Sequence, residues 1–187
     1  MWESRLLYLP PRSESFHLMH FSTFKLKRAL CKSLLLIKWP NCELVIKTQI
    51  FEAERNGALF VSTMFISRTL ITQSHELEMP VLCGVSSLSE ARQALLWGAE
   101  ALKFYPATSL KPTIFKNIMT ELKNDGLLSS SNVTDIIVAG GVSDTDYEAY
   151  LSAGATGFAV GFDCKKMTPS QIRIKLHELN KIYSSFK

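Results

Sequence analysis

The sequence of 187 residues lacks the patterns that identify several common classes of protein. Its four cysteines have no CxxC spacing, which argues against a zinc site and against a disulfide scaffold. No apolar run approaches the roughly 20 residues that cross a bilayer, so we expect a soluble protein without a membrane partner. The absence of GxGxxG disfavours a dinucleotide-binding fold. Apart from a loose His17 and His20 pair, the histidines lack ligand spacing beside carboxylates, so we expect no metal ion.

Positive charge is concentrated at one end of the chain. Residues 1–47 hold eight Lys and Arg against three acidic residues, whereas residues 48–187 hold thirteen against fourteen. The nearly neutral main part gives no reason to infer nucleic-acid binding. The basic segment predicts either an organelle-targeting leader or a solvated extension. We therefore divide the chain into a divergent N-terminal segment, 1–47, and a main domain, 48–187, and expect a cytoplasmic protein unless the segment is a leader.

A unit of helix, Gly-Ala dipeptide and strand recurs three times in the main domain. The dipeptides fall at 57–58, 98–99 and 154–155. Two further apolar runs, 80–85 and 135–141, end in glycine, as is typical of strands buried on both faces of a parallel sheet. Strands that alternate with helices predict an α/β fold. Because the dinucleotide fingerprint is absent, we expect a TIM-type (β/α)8 barrel that is incomplete or atypical at its N-terminus.

The ends of several elements can also be predicted. Ser87 is a good N-cap with Glu90 as its capping-box partner, and Ser143 is expected to cap a helix that carries Asp146 in its first turn. Further helices are expected over 49–56 and 168–183. A weaker strand is expected over 43–47.

Lys103 lies in the apolar run 101–107, where a barrel strand would be expected to carry another aliphatic residue. A lysine in low-dielectric surroundings loses part of its proton affinity, and a neutral amine is the nucleophile that forms a Schiff base with a carbonyl substrate. The alternative for a strand lysine is an edge position from which the amine reaches solvent. The apolar neighbours Leu102 and Phe104 favour the buried position.

In such a barrel the carboxyl ends of the strands converge on one rim, where the chemistry occurs. Ser62, Gly84, Lys103, Gly140, Gly141 and Gly161 fall at predicted carboxyl ends. Adjacent glycines let backbone N–H groups approach an anion, and a helix beginning at Ser143 would add its positive end. The Gly-Gly turn therefore predicts a phosphate site, although tight turns alone could also require these glycines.

Four motifs resemble those of one enzyme family. They are MPVLCGV at 79–85, GAEALKFYPA at 98–107, VAGGV at 138–142 and AGATGFAVG at 153–161. Over about residues 48–187 the chain resembles the class I aldolases that cleave 2-keto-3-deoxy-6-phospho sugar acids, and it looks closer to the 6-phosphogalactonate branch than to the 6-phosphogluconate branch. The resemblance implies a phosphorylated sugar-acid substrate, no cofactor and a homo-oligomer, specifically a trimer.

The resemblance also implies a role for each rim residue. Lys103 would form the Schiff base with the keto carbon of the substrate or of pyruvate. The pyruvyl pocket would be lined by Ser62, Gly84 and Pro106. The phosphate would be held by Gly140, Gly141, Gly161 and Phe162. The iminium would act as an electron sink, and the products would be pyruvate and glyceraldehyde 3-phosphate.

The chain departs from the family pattern in several places. The first two strands, which supply an arginine and a proton-shuttling glutamate, have no recognisable counterpart in residues 1–42. Glu43 stands only fourteen positions before Gly57, where a further strand is expected to intervene, so Glu43 is not assigned as the base. Thr63 and Cys83 replace prolines, and Phe162 replaces a phosphate-binding serine. The alternative to an active aldolase is therefore an impaired relative that binds a phosphate ester or another protein. Its unclosed barrel would be stabilised by oligomerisation or by residues 1–47 covering the open edge.

Overall fold

The computed structural model describes the chain in one long central stretch and several shorter pieces. The described residues are 7–9, 16–19, 43–44, 50–51, 54–55, 58, 60–130, 135–143, 145–162, 168, 170–171, 174, 177–178, 181–182 and 185. Together these ranges include the backbone of every residue that the sequence predicts at the rim.

Eight strands of the described residues join in one sheet. They are β1 (Leu7–Leu9), β2 (Phe16–Met19), β3 (Glu43–Leu44), β4 (Val61–Thr63), β5 (Val81–Val85), β6 (Ala101–Phe104), β7 (Asp135–Ala139) and β8 (Gly157–Phe162). Their order across the sheet is β1-β2-β8-β7-β6-β5-β4-β3. Each neighbouring pair from β3 to β8 is parallel. The predicted α/β fold with a parallel sheet is confirmed.

Helices connect most of the parallel strands. They are α1 (Arg68–Glu76), α2 (Leu88–Leu96), α3 (Ala107–Leu110), α4 (Pro112–Asn124), α5 (Leu127–Ser130) and α6 (Tyr147–Ser152). The described positions between 50 and 55 and between 170 and 185 are helical too, in agreement with the two further helices that the sequence predicts. Among the described residues, no helix is both long enough and apolar enough to cross a membrane.

The start of α2 is the predicted one, whereas the start of α6 is not. Ser87 Oγ accepts a hydrogen bond from the Glu90 N–H at 3.2 Å, so Ser87 caps α2. The Glu90 carboxylate accepts from the N–H of Ser86, at 2.6 Å, and not from Ser87 as the capping box predicts. The prediction that Ser143 caps a helix is wrong, because α6 begins at Tyr147 with Asp146 as its N-cap.

A local turn explains the late start of α6. Ser143 Oγ accepts from the Thr145 N–H at 3.4 Å, and the Ser143 carbonyl accepts from the Asp146 N–H at 3.0 Å. A serine side chain that bonds the backbone two residues later offers that backbone an alternative to the helix. The turn therefore occupies the residues where the sequence predicts the first helical turn.

The two faces of the sheet bury different sets of residues. On the face toward the helices, Cys83 and Phe104 belong to the large apolar core. On the opposite face, a smaller cluster contains Leu82, Ala101, Ile137, Ala139 and Ala159. Side chains of a strand alternate between faces, so Lys103, two residues after Ala101, belongs to the face of the smaller cluster. Burial on both faces explains why these strands read as continuous apolar runs.

The N-terminal segment supplies the neighbour of β8. Strand β2 runs antiparallel to β8, with Phe16 opposite Phe162 and Met19 opposite Ala159. Strand β1 runs antiparallel to β2. Among the described strands, β1 and β3 are the two ends of the sheet. The sheet is therefore atypical at its N-terminal side, as predicted, and antiparallel strands stand where a parallel barrel would return to its first strand.

The position of β3 corrects one expectation. Glu43 pairs with Ser62, and Leu44 pairs with Thr63, in parallel register. Since β3 and β4 are direct neighbours, the further strand expected between Glu43 and β4 does not separate them in the sheet. Glu43 is instead the register partner of a residue at the predicted rim.

Candidate active site

Lys103 in the middle of the sheet is the central group of the site. Its side chain is 1% exposed. The Nζ atom donates a hydrogen bond to Ser62 Oγ at 3.1 Å. The predicted burial of Lys103 is confirmed, and the alternative of an edge lysine that reaches solvent is wrong. The hydroxyl of Ser62, from two strands away, therefore helps to fix the amine on the face of the smaller cluster.

Gly84 is the residue of β5 that lies beside Lys103. The two residues are register partners, and Ile137 of β7 is the partner on the other side. A Cβ at position 84 would lie 2.5 Å from the Thr63 carbonyl oxygen and 2.6 Å from backbone atoms of Met64. The chain that leaves β4 therefore crosses close to Gly84, and any side chain there would displace backbone. Ser62, Gly84 and Lys103 form one cluster, as the sequence predicts.

Behind this cluster, the side chains of Thr63 and Cys83 contact each other. Thr63 Oγ1 accepts from the Gly84 N–H at 3.2 Å and donates to Cys83 Sγ at 3.7 Å. Burial raises the pKa of the Cys83 thiol to about 11, so the thiol stays neutral near pH 7. Sequence reasoning noted both residues as departures from the family pattern but missed their contact, because the contact depends on the register of β4 and β5.

The Gly-Gly turn after β7 packs on the loop that follows Lys103. Gly140 has φ of +82° and Gly141 has φ of +76°, a region that favours glycine. A Cβ on Gly140 would lie 2.6 Å from the Tyr105 ring and 3.1 Å from Pro106 Cα. The Gly140 carbonyl accepts from the Thr108 N–H at 3.2 Å. The turn is thus held beside Pro106, which joins the predicted phosphate site to the predicted pyruvyl pocket.

The remaining phosphate residues lie at the end of β8. Gly161 pairs with His17, and Phe162 pairs with Phe16. The side chain of Phe162 lies outside the described residues. Because α6 begins six residues after Gly141, the positive helix end expected directly after the Gly-Gly turn is not there. An anion at this site would therefore be bound by backbone N–H groups, such as those of the Gly-Gly turn, without a helix end.

Two acidic side chains on the central strands lie away from this rim. Asp135 at the start of β7 is fully buried and accepts from Thr156 Oγ1 at 3.2 Å. Glu100, just before β6, accepts from the Val81 N–H at 2.9 Å and contacts His75 Nε2 at 3.1 Å. Both carboxylates bind groups at the amino ends of strands, opposite the end where Lys103 lies. Within the described part of the chain, no cluster of three potential metal ligands occurs.

The parallel sheet, the buried lysine and the glycine turn beside it define an α/β protein with a lysine near the carboxyl ends of its parallel strands. The sequence profile of the family described as "Aldolase: KDPG and KHG aldolase" matches residues 42–184. The chain belongs to this family. The sequence resemblance to the 2-keto-3-deoxy-6-phospho sugar-acid aldolases is thereby confirmed at the level of the family.

Individual relatives agree with the family assignment. A 2-dehydro-3-deoxy-6-phosphogalactonate aldolase of Escherichia coli (strain K12) is 27% identical over 115 residues, which cover 62% of this chain and 52% of the relative. A probable enzyme of the same name from Rhizobium meliloti (strain 1021) is 30% identical over 109 residues, 58% of this chain and 47% of the relative. The chain thus spans about half the length of the curated relatives it matches.

Solved structures share the fold. A structure described as native KDPGal superposes with a TM-score of 0.64 at 24% identity, covering 76% of this chain and 66% of that one. A 4-hydroxy-2-oxoglutarate and 2-dehydro-3-deoxyphosphogluconate aldolase superposes with a TM-score of 0.57 at 19% identity, covering 73% and 64%. At this identity the likeness supports the TIM-type fold class.

Proposed function

We propose that the protein is a class I aldolase that cleaves 2-dehydro-3-deoxy-6-phosphogalactonate, or the 6-phosphogluconate epimer, to pyruvate and glyceraldehyde 3-phosphate. The observation that carries this proposal is the buried Lys103 amine, hydrogen-bonded to Ser62 inside the region that the family profile matches. An amine in such surroundings is suited to attack a carbonyl carbon. The two curated relatives are named for the galactonate substrate, which supports that epimer.

The proposed reaction begins when the Lys103 amine attacks the keto carbon of the substrate, and loss of water leaves an iminium. A base removes the proton from the hydroxyl two carbons beyond the keto carbon. The bond between the hydroxyl-bearing carbon and the carbon adjacent to the iminium carbon breaks. Its electron pair forms the carbon–carbon double bond of the enamine, and the π pair of the iminium moves to the nitrogen. Glyceraldehyde 3-phosphate leaves and an enamine remains. Protonation of the enamine carbon and addition of water release pyruvate and restore the amine.

The neighbouring residues have proposed binding roles. Ser62 would orient the amine, while Gly84 and Pro106 would line the space for the pyruvyl group. The backbone of Gly140 and Gly141, with Gly161 and Phe162 at the end of β8, would bind the phosphate. Glycines at 84 and 140 let the Met64 backbone and the Tyr105 ring pack directly against them, which keeps these segments close to the strand of Lys103 and supports these roles.

Glu43 is a candidate for the base that the mechanism requires. The register of β3 pairs it with Ser62, whose hydroxyl accepts from Lys103. A positioned general base typically contributes about 10²–10⁴-fold in rate. Glu43→Gln should therefore lower the rate of cleavage strongly and leave formation of the imine with pyruvate largely intact. Equal loss of both activities would instead assign Glu43 to binding or folding.

The proposal is tested by trapping the imine. Pyruvate and borohydride should add a stable, reduced pyruvyl group to the protein, and peptide mapping should place it on Lys103. Lys103→Ala should abolish the adduct, whereas the control Lys116→Ala, on the exposed side of α4, should retain it. Absence of an adduct from folded wild-type protein would overturn the proposal. Cleavage assays with both phosphorylated epimers then decide the substrate.

An impaired, phosphate-ester binding relative is the second candidate function. It is favoured by the antiparallel β1 and β2 beside β8, because they replace the parallel first strands that the resemblance expects to supply an arginine and a glutamate. This candidate predicts a calorimetric signal for glyceraldehyde 3-phosphate with no borohydride adduct and no cleavage. An adduct together with cleavage would exclude it.

We also propose a homo-oligomer, specifically a trimer, as the resemblance implies. Large apolar side chains that are exposed in the single chain support it. They include Phe51, Phe65, Leu96, Ile114 and Ile174. Light scattering coupled to size exclusion measures the mass directly, and a monomer at high concentration would contradict the proposal.

A further inference from the structure

Thr63 of β4 and Cys83 of β5 lie against each other in the structure. Both side chains are 0% exposed, and the hydroxyl donates to the sulfur at 3.7 Å. The residues are twenty positions apart and come from adjacent parallel strands. Their contact on the helix-facing side of the sheet suggests that they act together.

The Thr63 hydroxyl extends the bonding between β4 and β5 beyond the end of their pairing. The last register pair of the two strands is Ser62 with Leu82. The next N–H on that side of β5, that of Gly84, donates to Thr63 Oγ1 at 3.2 Å. A side chain therefore satisfies a buried N–H that would otherwise lack an acceptor where β4 ends.

The sulfur completes a short chain of hydrogen bonds. Cys83 Sγ lies 4.0 Å from the carbonyl oxygens of Phe65 and Gly84 and can donate to either. Burial raises the pKa of this thiol to about 11, which keeps the proton available for donation. The bonds run from the Gly84 N–H through the Thr63 hydroxyl to Cys83 and back to the backbone.

This chain of bonds holds the two backbone segments that place Lys103. Gly84 is the register partner of Lys103. Ser62, adjacent to Thr63, accepts from the Lys103 amine. The backbone of Thr63 and Met64 lies so close to Gly84 that a Cβ there would be 2.5 Å from Thr63 O. A shift of Thr63 would therefore move Ser62 and Gly84 relative to the amine.

We propose that Thr63 and Cys83 form a positioning pair that holds Ser62 and Gly84 around the Lys103 amine. The effect on imine formation rests on the proposed aldolase function, whereas the effect on the backbone around Lys103 does not. Thr63 and Cys83 touch no substrate in this proposal, and they act through their neighbours. The two side chains are thus coupled through hydrogen bonds.

Thr156 provides a matched control for Thr63. Its hydroxyl accepts from the Ile136 N–H at 2.8 Å, and so bridges β7 and β8 at the amino end of the sheet. Thr63→Val and Thr156→Val each delete one hydroxyl that accepts one backbone N–H, the Thr63 hydroxyl being buried and the Thr156 hydroxyl partly buried. Thr63→Ser retains the hydroxyl. Both valine variants should lose stability, Thr156→Val the more because its hydroxyl also donates to the buried Asp135, but only Thr63→Val should disturb Lys103.

The first measurement is amide hydrogen exchange by NMR, which needs no pyruvate. Thr63→Val should speed exchange at Gly84 and Lys103 by about 10-fold and leave Ile136 unchanged, since a lost hydrogen bond changes a local equilibrium by about that factor. Thr156→Val should speed exchange at Ile136 and leave Gly84 and Lys103 unchanged, and Thr63→Ser should resemble the wild type. If Gly84 responds to Thr63→Val but Lys103 does not, the positioning role is overturned, whether or not the protein is an aldolase.

The second measurement is the rate of borohydride trapping with pyruvate. Thr63→Val should trap about 10-fold more slowly, and Thr156→Val should trap within about 2-fold of the wild type. Cys83→Ala should shift the rate in the same direction by less, because sulfur is a weak acceptor. Adding Cys83→Ala to Thr63→Val should change little further. Equal slowing by the two valine variants, or additive effects of Thr63 and Cys83, would overturn the proposal. If the wild type forms no adduct, the proposed aldolase function fails. The hydrogen-exchange data alone then decide whether Thr63 and Cys83 position the backbone around Lys103.

Discussion

At the scale of single residues, the site depends on how one amine is held. Lys103 is almost fully buried, and its Nζ donates to Ser62 Oγ. A buried charged or polar group without a partner costs free energy, so the hydroxyl both stabilises the amine and fixes its direction. The apolar run around Lys103 predicts the burial from sequence. The identity of the partner could not be predicted, because it requires the register of β4 against β5 and β6.

Ser62→Ala should slow borohydride trapping at Lys103 by about 10-fold, since the amine loses the acceptor that orients it. Ser74→Ala is the matched control. Ser74 is also fully buried, and its hydroxyl donates to the Leu70 carbonyl at 2.8 Å within α1. The control should trap at the wild-type rate. Trapping that is unaffected by Ser62→Ala would show that the hydrogen bond does not orient the amine.

The Cys83 thiol should make stability depend on pH in the alkaline range. Burial raises its pKa from 9.0 to about 11. As pH rises above 9, the thiol of the unfolded chain loses its proton before the thiol of the folded chain does. The contribution of Cys83 to the free energy of unfolding is therefore complete below pH 9, and the free energy of unfolding falls by about 2 kcal/mol by pH 11. The pKa of Tyr150 is also raised by burial and adds a loss in the same direction. Urea unfolding at several pH values between 9 and 11 measures this fall in the free energy of unfolding. Cys83→Ala should flatten the dependence, and an unchanged slope would contradict the assignment.

At the scale of elements, continuous apolar runs were enough to predict the central strands, whereas the positions of α1 and α4 were not predicted. Ser87 also predicts the start of α2. The start of α6 could not be predicted in the same way, because Ser143 and Thr145 form a local turn that competes with the helix. Pairing of β2 with β8 joins residues far apart in sequence, and no local pattern indicates it. Local sequence signals thus predicted individual strands and helix starts. The edges of the sheet and the contacts between side chains depend on pairing between distant segments, which local signals do not show.

Ser87 and Ser143 are expected to contribute differently to stability. Ser87→Ala should lower the free energy of unfolding by about 1 kcal/mol, because it removes the N-cap of α2. Ser143→Ala should change it by less than about 0.5 kcal/mol, because Ser143 is exposed and caps no helix. Thermal or urea unfolding of both variants provides the comparison. A larger loss for Ser143→Ala would restore the helix start that the sequence predicts.

At the scale of the whole molecule, the sheet combines a parallel family core with an antiparallel edge. The family match begins at residue 42, and β3 at Glu43–Leu44 is the first parallel strand described. The division of the chain into segment 1–47 and domain 48–187 remains a proposal. Strand β2 of the segment is hydrogen-bonded to β8 of the main domain, so the two parts share one sheet. An uncovered edge of β8 would present unpaired N–H and C=O groups to other chains. Strand β2 therefore has a protective role that is open to test.

Leu18→Pro tests whether β2 covers β8. Leu18 lies between Tyr8 of β1 and Val160 of β8 in the sheet. Proline lacks a backbone N–H, so it can make no ladder hydrogen bond as donor, and Leu18→Pro should cost on the order of 1 kcal/mol or more and loosen the cover of β8. Leu18→Val keeps the N–H and a strand-forming side chain, so it should stay close to the wild type. Light scattering on warming should show earlier aggregation of Leu18→Pro alone. Equal behaviour of the two variants would mean that β8 does not need β2 as a neighbour.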